Sequence, residues 1–141
     1  MTHELERLAA LAAEIVPPEA ILRDEYGFTL ETAAAPLSFF SVGGAAPTVY
    51  CRAQVAALGE SELPDTLAED ALMGNFFWRA TAGATLSWNE AENAIYLTDR
   101  FEEGAFANAA ALENYANDFL RTLHDWRART EICLGQKEVA K

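Results

Sequence analysis

The chain has 141 residues, 51% of them hydrophobic, with 22 acidic against 10 basic side chains for a formal charge of −12. That is enough apolar material for a packed core. The charge argues against phosphate backbones and anionic lipid as partners and suits a basic or an unfolded client. No stretch reaches the about 18 apolar residues of a membrane helix, and the start MTHELERLAALAAEIV lacks the pattern of a signal peptide. Cys51 and Cys133 show neither metal nor redox spacing. A cytoplasmic location is expected.

The first element reads as a helix. Leu5, Leu8, Ala12 and Ile15 recur at three- and four-residue steps, Glu4 and Glu6 occupy the first turn, and Pro17-Pro18 ends it. Glu19–Tyr26 carries no assignable pattern. Strands are expected at Phe28–Thr32, Leu37–Val42 and Thr48–Val55, the third preceded by the turn cluster Gly43-Gly44…Pro47 and showing strict alternation of Val49, Cys51, Ala53 and Val55 with polar neighbours. Leu63-Pro64-Asp65 opens a second helix with Ala68, Leu72 and Phe76 in one row and Met73 with Phe77 in another.

That helix is expected to end in Phe76, Phe77 and Trp78. Three consecutive residues on a 100° period cannot all face one core, so at least one meets solvent, a partner or the far side of a sheet. A hairpin follows, Leu86 and Trp88 in one arm and Ile95 and Leu97 in the other, joined by Asn89–Asn93. A last helix runs from an N-cap at Asn108 to about Ile132, with Leu112, Ala116, Phe119, Leu123 and Trp126 on its apolar stripe. The order is helix, three strands, helix, two strands, helix. Residues 1–134 read as a single domain and residues 135–141 as a disordered tail.

Chemistry finds little footing. His3 lies at the start of the chain, and His124 and Asp125 are neighbours that diverge on a helix. The carboxylates Glu69-Asp70, Glu90…Glu92 and Glu102-Glu103 fall on expected solvated faces, and no nucleophile elbow, P-loop or dinucleotide fingerprint occurs. No catalytic, cofactor-binding or metal-ligating residue is expected, and the chain reads as no enzyme. Binding is better motivated. The first helix either covers the sheet or lines a groove with it, and Phe76–Trp78 with Trp88 is aromatic-rich enough for a subunit interface.

The stretch LMGNFFWRATAGATLSWNEAENAIYLTDRF, Leu72 to Phe101, and the continuation ALENYANDFLRTLHDWRARTE resemble the Tir-chaperone (CesT-type) family of type III secretion chaperones. The resemblance implies an α+β fold, an antiparallel twisted sheet with helices packed on it. It implies a small acidic chaperone of the bacterial cytoplasm that works without ATP as a homodimer. Such a chaperone binds the unfolded N-terminal region of a type III secreted effector and keeps it soluble and export-competent. By the same resemblance Leu72, Met73, Phe76, Phe77 and Trp88 become dimer-interface candidates, and Leu5, Leu8, Leu11, Ile15, Phe39 and Val49 become effector-binding candidates. The alternative is a non-secretory regulatory or protein-binding domain of the same fold, resembling the YbjN-type proteins.

Overall fold

The computed structural model describes residues 1–42 and 48–139. The expected turn cluster Gly43-Gly44…Pro47 and the last two residues of the tail lie outside them. In chain order the elements are α1 (His3–Ala12), β1 (Ile21–Arg23), β2 (Gly27–Glu31), β3 (Pro36–Phe40), β4 (Val49–Ala57), α2 (Asp65–Gly74), β5 (Thr85–Asn89), β6 (Ala94–Phe101) and α3 (Ala109–Val139). Short 3-10 turns occupy Pro18–Ala20 and Phe76–Trp78. The six strands form one sheet in the order β1-β2-β3-β4-β6-β5. The α+β class and the two expected runs of strands between helices are therefore present.

β1, α1 and α3 differ from expectation, as does the end of α2, which stops at Gly74. β1 falls in the unassigned connector, where three residues are too few to show an alternation. What makes it a strand is the turn after it, in which the Asp24 carboxylate accepts from the backbone N–H groups of Tyr26 and Gly27, both at 2.8 Å. That turn brings Ile21–Arg23 antiparallel to Phe28–Leu30. α1 stops at Ala12, leaving Ile15 in the turn that follows. α3 continues to Val139, past the expected end near Ile132. No helix among the described residues is long and apolar enough to cross a membrane.

The chain divides into two compact units, Met1–Ala53 with Asp99–Leu120 and Gln54–Thr98 with Arg121–Lys141. In the first, α1 is capped by the Thr2 hydroxyl, which accepts from the Leu5 N–H at 3.2 Å. Its Leu5 and Leu8 are buried, as are Phe28 and Leu30 of β2, Leu37 and Phe39 of β3, Val49 and Cys51 of β4, and Leu112 and Phe119 of α3. The Phe28 and Phe39 rings stack at 5.1 Å. Phe101 meets Phe106 and Tyr115 edge-on at 4.9 and 5.7 Å.

A charged clasp fastens α1 in this unit. Glu4 is buried, and Arg7 grips it with two bonds, at 3.0 Å from Nε and 2.6 Å from a terminal nitrogen. The Gly104 N–H also donates to Glu4 at 3.2 Å, while Arg7 donates to the Phe106 carbonyl at 2.8 Å. The bonds from Arg7 hold the Glu4 carboxyl below its ordinary range despite its burial. The same unit buries the Cys51 thiol, whose pKa desolvation pushes up. Tyr115 beside it donates to Asp99 at 2.9 Å, and burial raises its pKa also.

In the second unit Leu67, Leu86, Ile95, Leu97, Leu123 and Trp126 are buried. The Trp126 indole N–H donates to the Ala80 carbonyl at 2.9 Å, and Arg127 caps the Gln54 carbonyl at 2.8 Å. α2 turns Leu67 and Gly74 inward, so the row of Leu72 and Phe76 faces out.

Candidate partner-binding site

A run of exposed apolar residues lies in the second unit and is built by the way α2 ends. Asn75 acts as a side-chain strand neighbour to Leu86. Its carboxamide nitrogen donates to the Leu86 carbonyl at 3.0 Å, and its oxygen accepts the Leu86 N–H at 2.9 Å. With the helix end tied to β5 in this way, the next residues leave the helical path. Phe77 and Trp78 adopt left-handed backbone, φ 52° and 54°, a conformation unfavourable for bulky side chains. The expected helix of aromatics is thus a knuckle. It sets Phe76 and Phe77 edge-to-face at 4.6 Å, and Trp78 donates to the Thr85 hydroxyl at 3.3 Å.

Leu72, Met73, Phe76, Phe77, Trp78 and Trp88 are between 44% and 73% exposed. Ordinary monomers scatter such residues singly, and six in one stretch mark an interaction surface. Beside them runs an apolar groove of about 220 Å³ lined by Leu63, Leu67, Leu72, Leu86, Trp88 and Ile95. Its Trp88 wall is held by Asn93, whose oxygen accepts the indole N–H at 3.0 Å. The Asn93 nitrogen donates to the Gly59 and Ser61 carbonyls, both at 2.8 Å. Asn93 sits at φ 51°, a left-handed position that asparagine tolerates better than most residues. The structure therefore brings all five dimer candidates, Leu72, Met73, Phe76, Phe77 and Trp88, to exposed positions in one unit and adds Trp78.

The effector candidates fare differently. Leu5, Leu8, Phe39 and Val49 are core side chains of the first unit with at most 1% exposure, so a client could touch them only after that core opened. Leu11 and Ile15 are half-buried and keep reachable area. The opposite strand face carries residues that the sequence reading passed over. Phe40 and Tyr50 stack at 5.5 Å on β3 and β4, and the Arg52 guanidinium lies 5.1 Å over the Phe40 ring. Strand alternation held the signal, since Phe39 and Phe40 must point to opposite faces.

Leu22, Tyr26 and Val42 are further exposed apolar residues of this unit. Among the described residues no group of three or more His, Cys, Asp and Glu side chains is placed to hold a metal ion.

The sequence profile of the Tir chaperone protein (CesT) family matches residues 47–127. No curated protein sequence matches the chain. Among solved structures, a chain from the Yersinia pestis type III secretion chaperone SycH in complex with a stable fragment of YscM2 is similar, with TM-score 0.61 and 11% identity over 87% of this chain and 98% of that one. A chain of the HopA1–SchA chaperone–effector complex gives TM-score 0.61 and 14% identity over 91% and 98%. A chain of the heterodimeric ExoU–SpcU complex from the type III secretion system of Pseudomonas aeruginosa gives 0.56 and 17% over 86% and 91%. At these identities the likeness is one of fold.

Proposed function

The chain belongs to the Tir chaperone protein (CesT) family, and from that membership we propose that it is a type III secretion chaperone that binds an effector. It holds the unfolded N-terminal region of that effector, keeping it soluble and competent for export. The family match over residues 47–127 carries the reading. Fold similarity to a chaperone–effector complex over 91% of the chain supports it and supports treating residues 1–134 as one chaperone domain. The match also favours the secretion chaperone over a regulatory module of the same fold. The proposed work is binding alone, in the bacterial cytoplasm, as a homodimer.

The physical mechanism is shielding. An unfolded segment exposes apolar side chains that aggregate, and a folded surface that buries them in an extended conformation removes that hazard. The half-buried Leu11 and Ile15 offer one such surface and the Phe40–Tyr50 strand face another. A net charge of −12 keeps the loaded complex in solution and draws in basic client segments. The homodimer reading rests on Leu72, Met73, Phe76, Phe77 and Trp88, whose exposure a second copy would end.

Purification of the tagged chain from its native host, followed by identification of bound protein, tests the proposal. Recovery of an exported protein held through its N-terminal region is expected. Recovery of the chain with no secreted partner, under conditions that induce secretion, would sink it.

A further inference from the structure

We infer that residues 76–84 form a gate over Trp126 at the end of the apolar groove, and that it opens while the rest of the second unit stays folded. Its two hinges lie side by side. The Asn75 carboxamide bonds Leu86 through both its nitrogen and its oxygen, at 3.0 and 2.9 Å, and Thr85 enters the sheet opposite Thr98. A loop whose ends are fixed together in this way can swing without moving α2 or β5.

Two independent features place the closed gate under tension. Among the described residues four non-glycine residues have positive φ, and Phe77, Trp78 and Ala82, at 52°, 54° and 52°, all lie in this loop. Left-handed backbone is costly for each of them. The second feature is Thr81, which is 1% exposed and whose hydroxyl oxygen has no hydrogen-bond partner. Burial without a partner forfeits that group's hydration. When the loop lifts, the three residues return to ordinary backbone and the Thr81 hydroxyl meets water. Both effects favour opening.

Opposing them are a few hydrogen bonds. The Trp126 indole N–H donates to the Ala80 carbonyl at 2.9 Å, and the Trp78 indole N–H to the Thr85 hydroxyl at 3.3 Å. The Gly83 N–H donates to the Trp78 carbonyl at 3.0 Å and the Ala84 N–H to the Thr81 carbonyl at 3.1 Å. Only the first of these reaches α3. What the gate controls is the length of the groove. A Cβ on Gly74 would meet the Trp126 ring at 2.4 Å and Leu86 Cδ1 at 3.6 Å, so that ring adjoins Leu86, which lines the groove with Asn75. Closed, the groove ends at Asn75; open, it runs on to the Trp126 indole. Phe77 and Trp78 ride on the gate, so a partner that grips them in one state alone sets the equilibrium.

Hydrogen exchange of the full chain, followed by nuclear magnetic resonance, tests the gate. The Trp126 indole N–H and the Gly83 and Ala84 amides should exchange together, faster than the Leu97 amide of β6 and with little dependence on dilute urea. Ala82→Gly should slow all three several-fold, because the relief of left-handed strain exceeds the freedom that glycine adds to the open loop. Thr81→Val removes the unpartnered hydroxyl and should slow them by a similar factor. Exchange of the three at the rate and urea dependence of Leu97 would overturn the gate. So would Ala82→Gly and Thr81→Val chains that exchange as fast as the wild type.

Discussion

Glu4 shows how a buried charge can stabilise a fold. Its carboxylate is shielded from water, yet it accepts three hydrogen bonds, two from Arg7 and one from the Gly104 N–H, and the Arg7 guanidinium offsets its charge. Glu4→Gln should lower the unfolding free energy by about 2 kcal/mol at neutral pH, the scale of hydrogen bonds to charged groups. Because the folded pKa lies below the ordinary 4.5, the wild-type contribution is complete above that value and is lost as pH falls through the folded one. Urea melts of both proteins from pH 7 to pH 3 should therefore converge at the acid end. Gly74 gives a second case, where two effects compete. Alanine would gain about 1 kcal/mol of helix propensity. Its Cβ, however, would stand 2.4 Å from the buried Trp126 ring, which is rigid and hydrogen-bonded to Ala80. Overpacking costs about 1–3 kcal/mol, so Gly74→Ala should lower the melting temperature.

At the scale of elements, periodicity told most and backbone detail least. β4 and the hairpin of β5 and β6 are legible because their apolar residues alternate. The α3 stripe is legible because Leu112, Phe119, Leu123 and Trp126 keep helical spacing. β1 was hidden because its identity lies in the Asp24 turn, and the end of α2 because Asn75 bonds across to β5. A residue's type also conceals its depth. Leu8 and Leu11 read alike in sequence, yet one is core and the other half-exposed. Leu8→Ala should therefore cost about 2–4 kcal/mol, and any loss of effector capture would follow from lost structure. Leu11→Ser with Ile15→Ser should leave the circular-dichroism melt nearly unchanged and reduce capture in co-expression pull-downs. Unchanged capture by that variant would remove α1 from the client surface.

For the whole molecule, acidity and exposed aromatics pull in opposite directions. Charge of one sign disfavours self-association, while a contiguous apolar patch demands cover. The dimer reading resolves this if the attraction is local and the repulsion diffuse. Added salt should then tighten the wild-type dimer by screening the diffuse term. Phe76→Ser with Phe77→Ser should yield a monomer by sedimentation, with the thermal transition shifted by no more than the lost subunit linkage.

The buried Cys51 gives the chain an internal clock. Its thiol can meet a reagent only when the first unit opens, whereas the half-exposed Cys133 needs no such event. A thiol reagent should thus modify Cys133 promptly and Cys51 at a rate set by the opening equilibrium. Slowing of that second phase when effector is added would measure, without any label, how far a bound client holds the chaperone itself closed.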